Sequence, residues 1–242
     1  MTNMGMYVAE FLGTLILILF GSGVVANVSL AKSKAKDGGW IVVTAAWGFG
    51  VAVAAYTTGW VSGAHLNPAL TIGFAAIGKI PWSLVPGYIV AQILGAMGGA
   101  TLVFLAFKDH FAETDNADAK LGIFCTSPAI RNYKWNIVTE IIGTAILVLG
   151  ILGINHENNA VGALGALLAG ILVWAIGLSL GGPTGYAINP ARDLGPRIAH
   201  ALLPIPGKRD SDWEYAFVPI IGPIVGGLLG AFIYQFFLNL WI

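Results

Sequence analysis

Two Asn-Pro-Ala tripeptides stand about half a chain apart, at Asn67-Pro68-Ala69 and Asn189-Pro190-Ala191. Asparagine is a favoured N-cap and proline a favoured first helical residue, so each tripeptide predicts the start of a helix. A helix N-terminus carries partial positive charge, and an asparagine that caps through its oxygen keeps amide N–H groups to donate. Two such termini facing each other would donate hydrogen bonds to a neutral polar solute and repel cations.

The stretch that follows each tripeptide is too short to cross a bilayer. Residues 68–79 would reach roughly 18 Å as a helix, whereas the hydrocarbon core is about 30 Å thick. The stretch from Pro190 carries Arg192, Asp193 and Arg197, which excludes it from contact with lipid. Half-helices that open in this way predict a site inside a membrane where their N-termini meet, as in channels and transporters.

The composition indicates a membrane protein. Hydrophobic residues make up 57% of the 242 residues, charged residues only 10%, and the mean hydropathy is +0.79. The formal net charge is zero, so nothing points to a nucleic acid partner. The single cysteine, Cys125, excludes an internal disulfide and a cysteine metal cluster, and we expect no metal and no cofactor. Six apolar stretches predict spanning helices, with tryptophans near their ends as in an interfacial belt: 8–28, 40–60, 82–107, 135–154, 162–180 and 215–241.

The two halves of the chain repeat each other. AEFLGT from Ala9 matches TEIIGT from Thr139, and SGAHLNPA from Ser62 matches TGYAINPA from Thr184. We expect one channel domain, 1–242, made of repeats at 6–107 and 135–242 joined by a polar loop at 108–134. Because each repeat has three full crossings, the second is inverted, and the half-helices must enter from opposite faces and meet near the midplane.

These motifs resemble those of the aquaporin superfamily over essentially the whole chain. Within it, GPTGYAINPARDLGPR looks like the bacterial glycerol facilitators, the aquaglyceroporin branch. The resemblance implies an all-α membrane protein with six transmembrane helices, two re-entrant half-helices and a right-handed aquaporin-like bundle. It also implies a homotetramer with one pore per subunit, in the bacterial plasma membrane, with both termini cytoplasmic.

The resemblance implies a selectivity filter of Trp47, Gly177, Tyr186 and Arg192. Arg192 would bind solute hydroxyls and repel cations; the alternative is a structural ion pair with adjacent Asp193. Tyr186 takes a position usually held by Phe. Gly177 stands where water-selective members have a histidine, and would leave room for a polyol.

Other polar groups are expected to support the pore. Glu10 and Glu140 would accept N–H bonds from the irregular backbone before each half-helix, and a proton relay is the alternative. Asp193 and Arg197 would hold their loop through salt bridges, and His65 would fix the first loop. A ladder of pore-facing carbonyls is expected from Gly63, Ala64, His65, Gly185, Tyr186 and Ala187.

The favoured function is a passive channel for glycerol and other small uncharged solutes, such as dihydroxyacetone, water and undissociated lactic acid, excluding ions and protons. A water-selective channel and a secondary active transporter are the alternatives, and an enzyme is not expected because no nucleophile–base pair or metal cluster is evident. The expected topology places every Lys and Arg except Lys79 outside the cytoplasm. The positive-inside rule alone would predict the opposite orientation.

Overall fold

Every regular element of the computed structural model is a helix within residues 2–240, the part of the chain that the structure describes. Trp241, which the sequence places at the end of the last span, lies outside these residues. The ten α-helices are α1 (Asn3–Ser29), α2 (Trp40–Ser62), α3 (Pro68–Ala76), α4 (Val85–Ala106), α5 (Lys108–Ala112), α6 (Ala117–Phe124), α7 (Tyr133–Ile154), α8 (Leu164–Leu180), α9 (Pro190–Leu202) and α10 (Val218–Asn239) within that range.

Five of these helices are long and apolar enough to cross a bilayer, namely α1, α2, α4, α7 and α10. The sixth predicted span is α8, which begins at Leu164 and has 17 residues. At about 1.5 Å per residue it reaches roughly 26 Å, at the short end of what spans a hydrocarbon core.

The half-helices α3 and α9 differ in length. The predicted helix 68–79 is too long, since α3 has 9 residues and ends at Ala76, whereas α9 has 13. Gly78 stops α3: it adopts a left-handed conformation with φ 74°, and the Lys79 N–H returns to the Phe74 carbonyl oxygen. Glycine carries no Cβ penalty there, which makes it the usual terminator of a helix.

Each half-helix packs against the last long helix of the opposite half of the chain. α3 contacts α10 and α9 contacts α4, while α1 lies against α2 and α4 and α7 lies against α8 and α10. Glycines permit the close approach: a Cβ on Gly73 would lie 2.8 Å from the Gly227 carbonyl oxygen, and one on Gly195 would lie 2.8 Å from that of Ile93. The order α1–α4 therefore recurs in α7–α10, which supports the repeats at 6–107 and 135–242; their boundaries stay a prediction.

The segment 108–134 is not simply a polar connection, as the sequence suggested. It contains α5 and α6, and these bring Phe111 and Phe124 into the core with their rings 5.9 Å apart. Their burial stabilises the packing of α6 against α1 and α9.

Candidate pore and constriction

Two buried carboxylates hold the irregular backbone before the half-helices. Glu10 accepts hydrogen bonds from the N–H groups of His65 and Leu66 at 2.9 and 2.7 Å, and from Ser62 and Gln92 side chains. Glu140 accepts from the N–H groups of Ala187 and Ile188 at 3.0 and 2.7 Å, and from the Thr184 hydroxyl at 2.6 Å. The geometry matches the loop-supporting role rather than the proton relay, because structural donors occupy both carboxylates.

The backbone that these carboxylates hold is strained. Ala64 and Leu66 have φ of 49° and 52°, and the equivalent Tyr186 and Ile188 have φ of 40° and 43°. Left-handed conformations cost about 1–2 kcal/mol for residues with a Cβ, so they persist where surrounding contacts fix them. Within residues 2–240, no donor binds the carbonyl oxygens of Gly63, Ala64, His65, Gly185, Tyr186 or Ala187. These oxygens therefore remain available as acceptors.

The two N-cap asparagines bind each other's loops. The Asn67 side-chain oxygen accepts from the Ala69 N–H, and that of Asn189 accepts from the N–H groups of Ala191 and Arg192. Each side-chain amide also donates across the interface at 2.8 Å, from Asn67 to the Ile188 carbonyl and from Asn189 to the Leu66 carbonyl. The expectation that capping leaves the amide free therefore needs correction, because one of its two hydrogens joins the half-helices and one remains.

Arg192 and Trp47 are in contact in the lining of a cavity inside the bundle. The guanidinium carbon of Arg192 lies 4.0 Å from the centre of the Trp47 ring, and both side chains are buried. Guanidinium donors lie in the plane of the group, so stacking on its face leaves them free, and Nη1 has no partner among the described residues. Gly21 of α1 allows this arrangement, because a Cβ there would lie 2.2 Å from the Trp47 ring.

Gly177 does not leave open room, contrary to the expectation from the sequence. A Cβ on Gly177 would lie 2.7 Å from Cζ of Tyr186, so the tyrosine ring already fills the space beside it. Tyr186 lines two adjoining cavities together with Trp47 and Arg192, whereas Gly177 lines neither of them. Gly177 therefore adjoins the cavity only through the Tyr186 ring that packs on it.

Three cavities lie in series through the bundle. A vestibule of about 530 Å³, called the outer vestibule because the expected topology places it outside the cell, shares Trp47, Tyr186 and Arg192 with a central cavity of about 70 Å³. The central cavity in turn shares Ala64 and Ile151 with a vestibule of about 490 Å³, called the inner vestibule for the same reason. Both Asn-Pro-Ala asparagines line the central cavity, together with the apolar side chains of Leu17, Val51, Leu70, Leu147 and Val173. The lining of the path therefore combines polar and apolar groups.

The comparisons with known proteins agree with this architecture. The chain matches the model of the family described as major intrinsic protein over residues 1–234. The chain belongs to the major intrinsic protein family. In this family of channels, the predicted all-α membrane fold of the aquaporin type is confirmed, including the two re-entrant half-helices.

Similar proteins include a probable glycerol uptake facilitator protein from Thermotoga maritima, 64% identical over 96% of this chain and 99% of that protein. The glycerol uptake facilitator protein of Bacillus subtilis is 56% identical over 93% of this chain and 82% of its own length. A D/L-lactic acid transporter of Lactiplantibacillus plantarum is 44% identical over 95% of this chain and 97% of that protein. Among solved structures, the aquaglyceroporin from Plasmodium falciparum matches with a TM-score of 0.87 and 30% identity, over 97% of this chain and 96% of that one.

Asp193 supports the outer mouth of this major intrinsic protein through Arg197 and does not pair with Arg192. Its carboxylate accepts from Arg197 Nε and Nη2 at 2.9 and 2.7 Å and from the N–H and hydroxyl of Thr126, both at 2.7 Å. Arg197 continues to the Ser211 and Asp212 carbonyls. The alternative of an Arg192–Asp193 ion pair is therefore wrong, and Arg192 keeps its donors for the pore.

Arg131 extends this network to the surface. It binds the Asp212 carboxylate through both terminal nitrogens at 3.0 and 2.6 Å. This bidentate bond raises the pKa of the Arg131 guanidinium above its ordinary value. The sequence assigns no role to Arg131, because Asp212 is far away along the chain and only the fold brings the two side chains together.

His65 is a structural residue of the first loop. Its Nδ1 lies 3.1 Å from the Thr71 hydroxyl, and its ring packs edge-on against Phe74 and Tyr88 at 5.0 and 5.2 Å. Within residues 2–240, no group of at least three His, Cys, Asp or Glu side chains could hold a metal ion.

Proposed function

We propose that this chain is a passive channel for glycerol and other small uncharged solutes. The observation that carries the proposal is the central cavity, whose lining combines the unpaired Nη1 of Arg192 with apolar side chains, between two open vestibules. A polyol carries both hydroxyls and C–H groups, so a lining that offers donors and apolar surface suits it. The similarity to glycerol uptake facilitators supports the same solute.

Ion exclusion follows from the same groups. Arg192 and the N-termini of α3 and α9 place positive charge at the narrow part of the path. Anions are excluded for a second reason, because a narrow wall that is half apolar cannot replace their hydration shell. Undissociated lactic acid is therefore a candidate solute where lactate is not, and the related lactic acid transporter makes it worth testing.

A secondary active transporter is disfavoured by the state of the membrane carboxylates. Glu10, Glu140 and Asp193 are buried, are occupied by structural donors, and do not line any of the three cavities. A coupling site needs a group that exchanges its ion or proton with the transport path. We expect no catalytic activity, in keeping with a family of channels.

The test is a solute panel in proteoliposomes, followed by light scattering, with glycerol, dihydroxyacetone, urea, water and lactic acid. Glycerol flux should rise in proportion to its gradient and ignore an imposed proton or sodium gradient. Uphill accumulation of glycerol would refute passive transport. Water flux without glycerol flux would instead establish the water-selective alternative.

We further propose a homotetramer in the bacterial plasma membrane with both termini cytoplasmic. Six crossings place both termini on the same side, and the resemblance of the motifs to the aquaporin superfamily is the reason for placing that side in the cytoplasm. The distribution of lysine and arginine predicts the opposite orientation, so the topology needs a direct test. A cysteine introduced at exposed Lys34 should label from outside intact cells, against a low background because burial raises the pKa of the Cys125 thiol. Labelling only from the cytoplasmic side would invert the topology, and light scattering of the purified protein would test the tetramer.

A further inference from the structure

A compact cluster of four residues lies at the outer end of the constriction: Trp40, Gly177, Gly181 and Tyr186. Trp40 is the first residue of α2, and its indole N–H donates to the Gly177 carbonyl at 3.0 Å. Its ring meets the Tyr186 ring edge-on, with centroids 5.9 Å apart and planes at 79°. Trp40 therefore contacts both α8 and the Tyr186 ring. A tryptophan that only anchors a helix at the membrane interface needs neither contact.

The Tyr186 ring occupies a groove made by two glycines four residues apart, Gly177 on α8 and Gly181 directly after its last residue. A Cβ on Gly177 would lie 2.7 Å from Cζ and 2.9 Å from the hydroxyl oxygen of Tyr186. A Cβ on Gly181 would lie 2.6 Å from Cδ1 of Tyr186 and 2.7 Å from Cζ2 of Trp40. Any side chain at either position collides with the ring, so the groove exists only because both residues are glycine.

The backbone of Tyr186 cannot adjust to relieve a lost contact. It has φ of 40°, and the next two N–H groups are bonded to Glu140. The position of the ring therefore depends on the walls around its side chain. Because Tyr186 lines both the central cavity and the outer vestibule, a ring that leaves the groove moves into the solute path.

We propose that Trp40 and Gly181 are positioning residues that set the size limit of the pore by keeping Tyr186 in its groove. This inference rests on the proposed function as a solute channel. Trp40 contributes a hydrogen bond and a ring wall, and Gly181 contributes the absence of a side chain. Both act on solutes through Tyr186.

The experiment compares the ratio of glycerol to water permeability in proteoliposomes for Trp40→Ala, Trp40→Phe and Trp135→Ala. Trp135→Ala is the matched control, since it removes an exposed tryptophan near the start of α7 that lies outside the three cavities in series. Trp40→Phe keeps a ring wall but loses the hydrogen bond, and should lower the ratio by about fivefold, the factor associated with losing one hydrogen bond. Trp40→Ala also loses the ring wall and should lower the ratio further. The control should leave the ratio unchanged.

The decisive step repeats these substitutions in a Tyr186→Leu background. With no tyrosine ring to position, Trp40→Ala and Trp40→Phe should no longer change the ratio. An unchanged ratio in the Tyr186 background, or an equal change in both backgrounds, would overturn the proposal. If Trp40→Ala does not assemble, Trp40→Phe carries the same comparison. A parent protein that conducts no glycerol would refute the proposed function, which is a distinguishable result.

Discussion

Replacing Glu140 tests whether a buried carboxylate holds the second half-helix in place. Glu140→Ala leaves three donors without their acceptor: the Thr184 hydroxyl and the N–H groups of Ala187 and Ile188. Each unsatisfied buried donor costs about 1–3 kcal/mol, so the loss is roughly 3–9 kcal/mol. Strain at Tyr186 and Ile188, which Glu140 offsets, adds to it.

Glu140→Gln should cost less than Glu140→Ala. A glutamine can keep its carbonyl oxygen on Thr184 and Ala187, while its NH₂ group faces the Ile188 N–H, which loses its acceptor. One lost acceptor corresponds to about 1–3 kcal/mol. The exposed Glu157→Gln serves as a control, because Glu157 lies in a surface turn.

The assay is thermal unfolding of the detergent-purified protein, together with glycerol flux per assembled protein in liposomes. We expect the order of stability to be parent and Glu157→Gln, then Glu140→Gln, then Glu140→Ala. A Glu140→Ala protein as stable and conductive as the parent would refute the loop-holding role. Normal stability of Glu140→Gln with loss of proton-driven transport would instead point to a relay.

Four further substitutions test the constriction and its support. Arg192→Val should raise proton or cation leak with the fold intact, measured by an internal pH dye; unchanged conductance in assembled protein would contradict the filter role. Gly177→His should displace the Tyr186 ring and block glycerol while water still passes in light scattering, and parental glycerol flux would place the constriction elsewhere. Tyr186→Phe removes a hydroxyl that has no partner within residues 2–240. The free-energy differences among solutes should therefore change by no more than about 1 kcal/mol, the worth of one hydrogen bond. A larger change in the solute panel would show that the hydroxyl binds solutes directly. Asp193→Ala leaves Arg197 buried without its carboxylate and should cost about 3–5 kcal/mol in thermal unfolding, whereas parental stability would show that the pair is dispensable.

Several features of the fold followed from local sequence. The Asn-Pro pairs predicted the starts of α3 and α9, because N-capping and a proline at the first helical residue depend only on neighbouring residues. The apolar stretches predicted the long helices, because a bilayer requires length and hydrophobicity before any tertiary contact forms. Duplicated motifs predicted the matched places of Glu10 and Glu140. Helix ends were less predictable, as the early stop at Gly78 shows.

Tertiary structure decided what the polar and small residues do. The sequence could not choose between Arg192 and Arg197 as the partner of Asp193, since both are close in sequence; helical spacing and the position of Thr126 select Arg197. It could not show that the room beside Gly177 is filled, because the filling ring comes from Tyr186 on a separate loop. The position of Trp40 at the start of a span likewise predicts an interfacial residue, because its contacts with Gly177 and Tyr186 come from distant segments. Local sequence determines where helices begin and how long they are, but a contact between distant segments exists only once packing has brought them together.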